Sequence, residues 1–295
     1  MKINKQGILC VILCYVMLLC SCGNGNNKYR RISFESDTLE ERLSFVSEDT
    51  VVNYDATGMF PTQLPIYEIS ERVISDNERQ ILMANLEIPT NPYYFEHKGN
   101  KVSIMLASYT DSSKRGYFTK SETELEDMAW KAFKQIPFME GEYEYVGFRG
   151  EQSVSIGGVK RIERVLVSFF RLVDGVRVVG ESQCDMWFDG SGLVEIHLNL
   201  FDYEKTGAMD VVPLSEAATK VNCPDDFSIE GAMGVADTLK VNNVEMFMVN
   251  QYSRGCAILQ PIYTFYGTAY FEDNMQKDFS SKVIAIPESM TYEEE

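Results

Sequence analysis

Apolar residues recur at helical spacing in three parts of this chain. The clearest is residues 122–136, where a Ser-x-x-Glu capping box opens an apolar stripe and Pro137 closes it, so the segment is predicted to form an amphipathic helix. The same capping-box pattern begins a predicted helix over 76–86, and a shorter helix is predicted over 213–221. Each of these helices has an apolar face that must pack against another element.

Between the helices, apolar and polar residues alternate with a period of two, which predicts β-strands. Residues 161–201 give the clearest case, because Asp174-Gly175 supplies a two-residue hairpin turn between alternating runs. These strands predict an antiparallel meander with one buried face, covered by the 122–136 helix. Over the whole chain, strands are predicted at 66–69, 93–95, 101–109, 143–148, 161–173, 176–188, 193–201, 241–252, 256–266 and 282–286.

The elements follow the order helix then strands, twice, with a less regular version ahead of them. This order predicts an α+β fold in which helices pack on antiparallel β-meanders. Pro261 lies inside a predicted strand and indicates an edge position or a bulge, because proline cannot donate to the ladder. The expected divisions of the body are 31–117, 118–207, 208–290 and an acidic tail at 291–295.

The N-terminus has the layout of an export signal. Lys2 and Lys5 precede an apolar run at 7–19. That run is shorter than the roughly 20 apolar residues that a membrane-spanning helix needs. It therefore predicts the apolar region of a signal peptide.

The apolar run ends in Leu19-Cys20-Ser21-Cys22, which resembles the bacterial lipobox. The resemblance implies that residues 1–21 are removed and that the Cys22 thiol receives a diacylglycerol, with fatty-acyl chains such as palmitate. Acyl chains contribute about 0.8 kcal/mol per buried CH₂, so two or three of them hold a protein on a membrane. A plain secretory signal with an incidental cysteine is the alternative.

The segment that follows the lipobox is polar, and residues 22–30 are predicted to form a flexible tether. The body is then expected on the extracytoplasmic face of a bacterial membrane, held there through the lipid at Cys22. Cleavage would take the formal charge of −17 to −19 by removing Lys2 and Lys5. So acidic a body excludes a generic nucleic-acid binder, which needs a basic stripe.

Four of the seven cysteines lie in the first 22 residues, so the count does not indicate redox or metal chemistry. The body keeps Cys184, Cys223 and Cys256, without a CxxC pair. An exported protein can form disulfides, and a Cys223–Cys256 pair is predicted. Burial of these residues as small apolar side chains is the alternative.

Candidate catalytic groups are few, because the chain has two histidines. His197 lies near Asp185 and Glu195 in the strand pattern and could act as a base or a ligand, but its alternating position favours a solvent-facing strand residue. His97 stands beside a turn and favours a loop role. The run 189–192 lacks the terminal acid of a calcium loop and favours a hairpin turn. No cofactor and no metal are expected.

Acidic residues cluster at 122–127 and 140–144. A carboxylate pair can hydrolyse glycosides. The first cluster, however, begins a helix, where acids favour the positive end of the dipole, and the second alternates along a strand. A structural role is favoured for both. The aromatic runs at 93–95 and 263–271 exceed what one sheet face hides, which predicts a surface patch for a protein or a glycan.

Three stretches carry a resemblance to the PepSY-type and YycH/YycI-type extracytoplasmic domains of bacterial envelope proteins. They are the helix with Ala129 and Phe133, the strand-turn-strand at 169–180 with the turn at 188–192, and the closing strand at 259–267. The resemblance covers roughly residues 118–290. It implies two cystatin-like units with curled sheets, and a regulatory or binding role toward envelope proteins.

Two functions of different classes follow. The first is a non-enzymatic, lipid-anchored protein that binds an envelope protein or another envelope ligand in a regulatory or scaffolding role. The alternative is a surface hydrolase that acts on envelope or glycan substrates through a carboxylate pair. The hydrolase needs two carboxylates facing each other in a cleft, whereas the binding protein needs a closed apolar core with its acids outside.

Overall fold

The computed structural model describes residues 28–32, 49–55, 58–86, 94–106, 116–181, 183–221, 226–229, 234–272 and 274–292. The α-helices within these ranges are α1 (Asp76–Asn85), α2 (Glu122–Phe133) and α3 (Leu214–Ala217). The strands are β1 (Tyr29–Arg30), β2 (Val51–Tyr54), β3 (Gln63–Glu71), β4 (Tyr94–Lys98), β5 (Lys101–Met105), β6 (Glu142–Ile156), β7 (Val159–Val173), β8 (Val176–Gly180), β9 (Gln183–Asp189), β10 (Gly192–Asn199), β11 (Phe201–Asp210), β12 (Asp226–Ile229), β13 (Thr238–Asn250), β14 (Gln260–Tyr270), β15 (Gln276–Ile284) and β16 (Thr291–Tyr292).

Strands dominate this fold. Of the described residues, 56% lie in strands and 16% in helices, and one mixed sheet holds 12 strands. The prediction of an α+β fold, with helices packed on separate antiparallel meanders in two cystatin-like units, is therefore wrong. The main strand order is β12-β15-β14-β13-β8-β7-β9-β10-β5-β4, with β2 added beside β13 and β6 beside β7.

A parallel pairing in the middle of the sheet explains the error. β8 runs parallel to β13, with Val178 opposite Met248 and Gly180 opposite Asn250. β8 lies within predicted unit 118–207 and β13 within 208–290, so strands of both units belong to one sheet. The sequence shows local hairpins, but a parallel pair more than 60 positions apart leaves no local periodicity.

The predicted helices are confirmed at their starts. Ser75 caps α1 and Ser121 caps α2, each with the reciprocal capping box to the glutamate three residues later. α2 ends at Phe133, shorter than the predicted 136, because the amides of Gln135 and Ile136 bond three residues back instead of four.

Several strand predictions needed correction. The predicted strand 176–188 is broken into β8 and β9, and the segment after 199 continues as β11, which pairs with β3 and runs across the predicted boundary at 207–208. β14 lies between β13 and β15 in the sheet. The edge or bulge predicted at Pro261 is wrong. Pro261 is the second residue of this interior strand, and it pairs in regular register with Met248 of β13.

Two apolar clusters form the core. One lies around β13, β14 and β15 and includes Leu239, Phe265 and Val283. The other packs α1 and α2 on one face of β5, β7, β9 and β10, through Leu82 and Ala129 among others. The predicted cover of the meander by the 122–136 helix is thus confirmed. The strand residues of this second cluster are Val102, Ile104, Val165, Val167, Phe169, Cys184, Met186, Phe188, Ile196 and Leu198.

Candidate functional site

The opposite side of this same sheet region is polar, and it is the candidate functional site. Because side chains alternate along a strand, the neighbours of the core residues in β5, β7, β9 and β10 point away from α1 and α2. We call this surface the outer polar face. It is defined by Ser103, Arg164, Ser168, Asp185, Trp187, Glu195 and His197.

Strand register places four of these side chains in one row. His197 on β10 lies opposite Ser103 on β5 and opposite Asp185 on β9, and Asp185 lies opposite Ser168 on β7. Ser103 Oγ lies 3.0 Å from His197 Nδ1, and Ser168 Oγ donates to Asp185 Oδ1 at 2.5 Å. Gln183 Nε2 donates to the other oxygen of Asp185 at 2.8 Å. Hydrogen bonds therefore join the row in two pairs, one between β5 and β10 and one between β7 and β9.

Glu195 is the buried charge of the face, with 7% of its side chain exposed. Arg164 Nη1 donates to Glu195 Oε2 at 2.7 Å, and His197 Nε2 lies 2.7 Å from Glu195 Oε1. Arg164 also donates to Gln152 and lies 4.4 Å above the ring of Trp187. Both carboxylate oxygens are thus occupied, which offsets the cost of removing the charge from water.

Ser103, His197 and Glu195 have the residue types of a nucleophile, a base and an orienting acid. Their surroundings differ from such a site in two respects. The Glu195 carboxylate is shared with Arg164, and His197, with 44% of its side chain exposed, lies on an open strand face rather than in a cleft. The arrangement holds polar groups in fixed positions, which serves recognition better than nucleophilic attack.

The predicted lipidation motif Leu19-Cys20-Ser21-Cys22 lies outside the described residues, as do the rest of 1–27 and Cys223. The Cys223–Cys256 disulfide stays a prediction for that reason. Cys256 is a buried thiol, and burial raises its pKa; burial also raises the pKa of the Cys184 thiol well above its usual value. Both fit the alternative of small buried side chains.

The other sequence candidates have structural roles where they are described. Asp189 Oδ1 accepts from the backbone amide of Ser191 at 2.7 Å, so the 189–192 run is the hairpin turn between β9 and β10. His97 lies within β4 opposite Val102, so the predicted loop position is wrong. The acids of α2 are exposed, and Glu144 of the second cluster pairs with Arg177, whose guanidinium lowers the pKa of that carboxyl.

The predicted aromatic patch at 263–271 is mostly core. Tyr263, Phe265 and Phe271 are buried, because β14 lies between two strands and its side chains fill the first cluster. Tyr93 lies outside the described residues. Trp187, on the outer polar face, is an aromatic that the sequence reasoning did not select. The alternation of β9 could have found it, since it follows Gln183 and Asp185 at a spacing of two.

Two surface cavities lie away from the outer polar face. One of about 460 Å³ lies between α1, α2 and the start of β10, with Leu86 and Leu106 on its lining. The other, of about 500 Å³, is lined by Glu142, Arg171 and Asp174 among others. The Oδ2 atom of Asp174 lies 3.6 Å from Nζ of Lys205. Two carboxylates, those of Glu142 and Asp174, line this second cavity.

Within the described ranges, no helix has both the length and the apolar content to cross a bilayer. The same ranges contain no group of three or more His, Cys, Asp and Glu residues arranged to hold a metal ion. A scan against protein-family models found no match to this chain, and a comparison with curated proteins found no significant relative.

Proposed function

We propose that this chain is a lipid-anchored, non-enzymatic binding protein of the bacterial cell envelope, which takes a protein partner or another envelope ligand on its outer polar face. The observation that carries the proposal is the buried ion pair of Glu195 with Arg164 beside the exposed ring of His197. A fixed array of donors and acceptors loses little conformational entropy on binding, so it suits recognition.

The anchor is proposed at Cys22. Its support is the sequence Leu19-Cys20-Ser21-Cys22 after a short apolar run, followed by a polar tether. The resemblance to PepSY-type and YycH/YycI-type proteins supplies the proposed role, which is regulation or scaffolding of an envelope protein. The acidic body would be repelled by anionic headgroups, so the lipid is the feature that holds it at the membrane.

Site-specific cross-linking in intact cells tests the binding proposal. A photoreactive amino acid is introduced at Ser103 or at His197, and at Glu126, which is exposed on α2, as the matched control. The proposal predicts one common adduct from the two positions of the outer polar face and none from α2. Equal adducts from all three positions, or none from Ser103 and His197, contradict it.

Processing tests the anchor separately. We expect globomycin to block maturation and radiolabelled palmitate to enter the wild-type chain but not Cys22→Ala. A Cys22→Ala protein that stays on the membrane contradicts the lipid anchor while leaving the binding face untouched.

A surface hydrolase remains the second candidate, because Glu142 and Asp174 both line the 500 Å³ cavity. Carboxylate pairs of this kind cleave glycosidic bonds when they flank the substrate. Turnover of an envelope glycan by the wild-type chain, abolished in both Glu142→Gln and Asp174→Asn, would favour this candidate. Unchanged turnover in either variant would exclude the pair.

A further inference from the structure

The outer half of the β6–β7 hairpin projects from the sheet as an arm. We call residues 153–161 the hairpin arm. β7 pairs with β9 only over residues 165–170, so the part of β7 nearer the turn lacks this neighbour. The arm side chains are exposed or partly exposed. Gly157 and Gly158 form its two-residue turn with φ of +59° and +80°, a backbone conformation that glycine adopts without strain.

Two aliphatic side chains stand at the tip of the arm. Ile156 and Val159 flank the turn as a directly opposed pair and are 49% and 59% exposed. Val154 lies behind them on the same side, opposite Arg161. The guanidinium of Arg161 lies 4.9 Å from the ring of Tyr117, which is 36% exposed. The tip is therefore apolar, with a cation and a tyrosine directly behind it.

The charge of the arm is opposite to that of the chain. The arm carries Lys160 and Arg161 and no acidic residue, with Lys160 paired to Glu151 beside the arm, whereas the whole chain has a net charge of −17. The arm is thus a locally basic segment on an acidic body.

We propose that the tip of the hairpin arm inserts into an anionic membrane surface. Aliphatic side chains enter the boundary of the acyl chains, tyrosine favours the headgroup level, and basic side chains are attracted by anionic lipids. The aliphatic pair at the tip, with Arg161 and Tyr117 behind it, fits such a surface. The proposal rests on the lipid anchoring proposed above, which brings the body to that surface.

Addition of a partner strand to β6, along the edge that no other described strand pairs with, fits the structure less well. In its pairing with β7, β6 has an extra residue at two places, between Tyr145 and Gly147 and between Phe148 and Gly150. Such bulges twist an edge away and prevent a continuous ladder with another chain. The exposed apolar side chains at the tip are the better docking element.

Tryptophan fluorescence of the full, anchored chain in vesicles tests the insertion. Val159→Trp is compared with Val73→Trp, since both valines are 59% exposed, and the parent chain gives the background of Trp130 and Trp187. The vesicles contain phosphatidylglycerol and phosphatidylcholine, with brominated acyl chains as the quencher. We expect a blue shift and strong quenching for Val159→Trp and neither for Val73→Trp.

Two further variants separate the contribution of the aliphatic side chains from that of the basic side chains. Ile156→Asp in the Val159→Trp background should abolish the quenching, because a carboxylate resists insertion. Lys160→Gln with Arg161→Gln should weaken insertion by about tenfold in anionic vesicles, and phosphatidylcholine alone should give the same weak signal.

The outcomes that overturn the proposal are distinct. A chain that floats with the vesicles but shows unchanged Val159→Trp emission overturns tip insertion and leaves the anchor standing. A chain that does not float overturns both. Loss of a protein cross-link in Ile156→Asp, with no quenching of Val159→Trp, assigns the tip to a protein partner instead and also overturns insertion.

Discussion

Arg164 reaches across a whole strand to neutralise Glu195. Arg164 is on β7 and Glu195 is on β10, with β9 between them. The guanidinium passes 4.4 Å above the Trp187 ring on β9 and donates to the Glu195 carboxylate at 2.7 Å. One side chain therefore ties three strands of the outer polar face together.

Removal of this arginine should be costly. Arg164→Ala leaves the Glu195 carboxylate buried with only His197 beside it, and we expect a loss of about 3 kcal/mol in the free energy of unfolding. Urea titration measures it. Lys160→Ala is the matched control, because it breaks the pair with Glu151 beside the exposed arm, where such pairs contribute at most about 1 kcal/mol. Equal losses in the two variants would contradict the buried role of Glu195.

The junction between β8 and β13 should be sensitive to a single methyl group. A Cβ at Gly180 would lie 2.3 Å from the backbone oxygen of Asn250, and the φ of Gly180 is +96°. Gly180→Ala should therefore lower the free energy of unfolding by about 3 kcal/mol, from backbone strain and from separation of the strands.

Gly175→Ala isolates the backbone strain. Gly175 has a φ of +76°, but nothing lies within 4 Å of an added Cβ, so only the backbone strain of about 1–2 kcal/mol applies. If Gly180→Ala unfolds at the same urea concentration as Gly175→Ala, the close pairing of β8 with β13 is not needed for stability.

Tyr263 should make the protein sensitive to alkali. Its hydroxyl is buried and donates to the backbone oxygen of Val212 at 3.1 Å, and burial raises its pKa from 10.0 to about 12. The folded state thus favours the neutral phenol. Its contribution to stability is complete below pH 10.0 and is lost as the pH rises toward about 12.

Tyr263→Phe should remove that part of the alkaline loss, at a cost of about 1 kcal/mol at neutral pH for the lost hydrogen bond. Denaturant titrations at a series of pH values measure both effects. Tyr67, whose pKa is also raised to about 12 by burial and by Asp174, retains its own share of the alkaline loss. An alkaline slope identical to that of the wild type would contradict the assignment.

The start of α2 should depend on one hydroxyl. Ser121 Oγ accepts from the amide of Glu124 at 3.3 Å, and the Glu124 carboxylate accepts from the amide of Ser121 at 2.9 Å. Ser121→Ala should lower the free energy of unfolding by about 1 kcal/mol, whereas Ser121→Asp should restore most of it. Thermal unfolding of the two variants measures the difference, and equal losses would argue against capping.

Short-range sequence patterns were sufficient to predict much of the secondary structure. The two capping boxes located Ser75 and Ser121 as helix caps, and the turn at Asp174-Gly175 fell where the positive φ of both residues allows it. The outward positions of Asp185, Glu195 and His197 also follow from alternation alone. The contacts among them do not, because they depend on the register between strands that are far apart in sequence.

The sequence by itself determined which residues face the core and which face water over most of β7, β9 and β10, and where two helices begin, because these depend on periodicity and on short-range hydrogen bonds. Only the tertiary structure decided that β8 pairs in parallel with β13, that Arg164 reaches Glu195 over Trp187, and that Ile156 and Val159 stand at an exposed tip. Each of these depends on how distant segments share one sheet. Alternation determines which residues lie on each face of a strand, but it does not determine which other strand pairs with it.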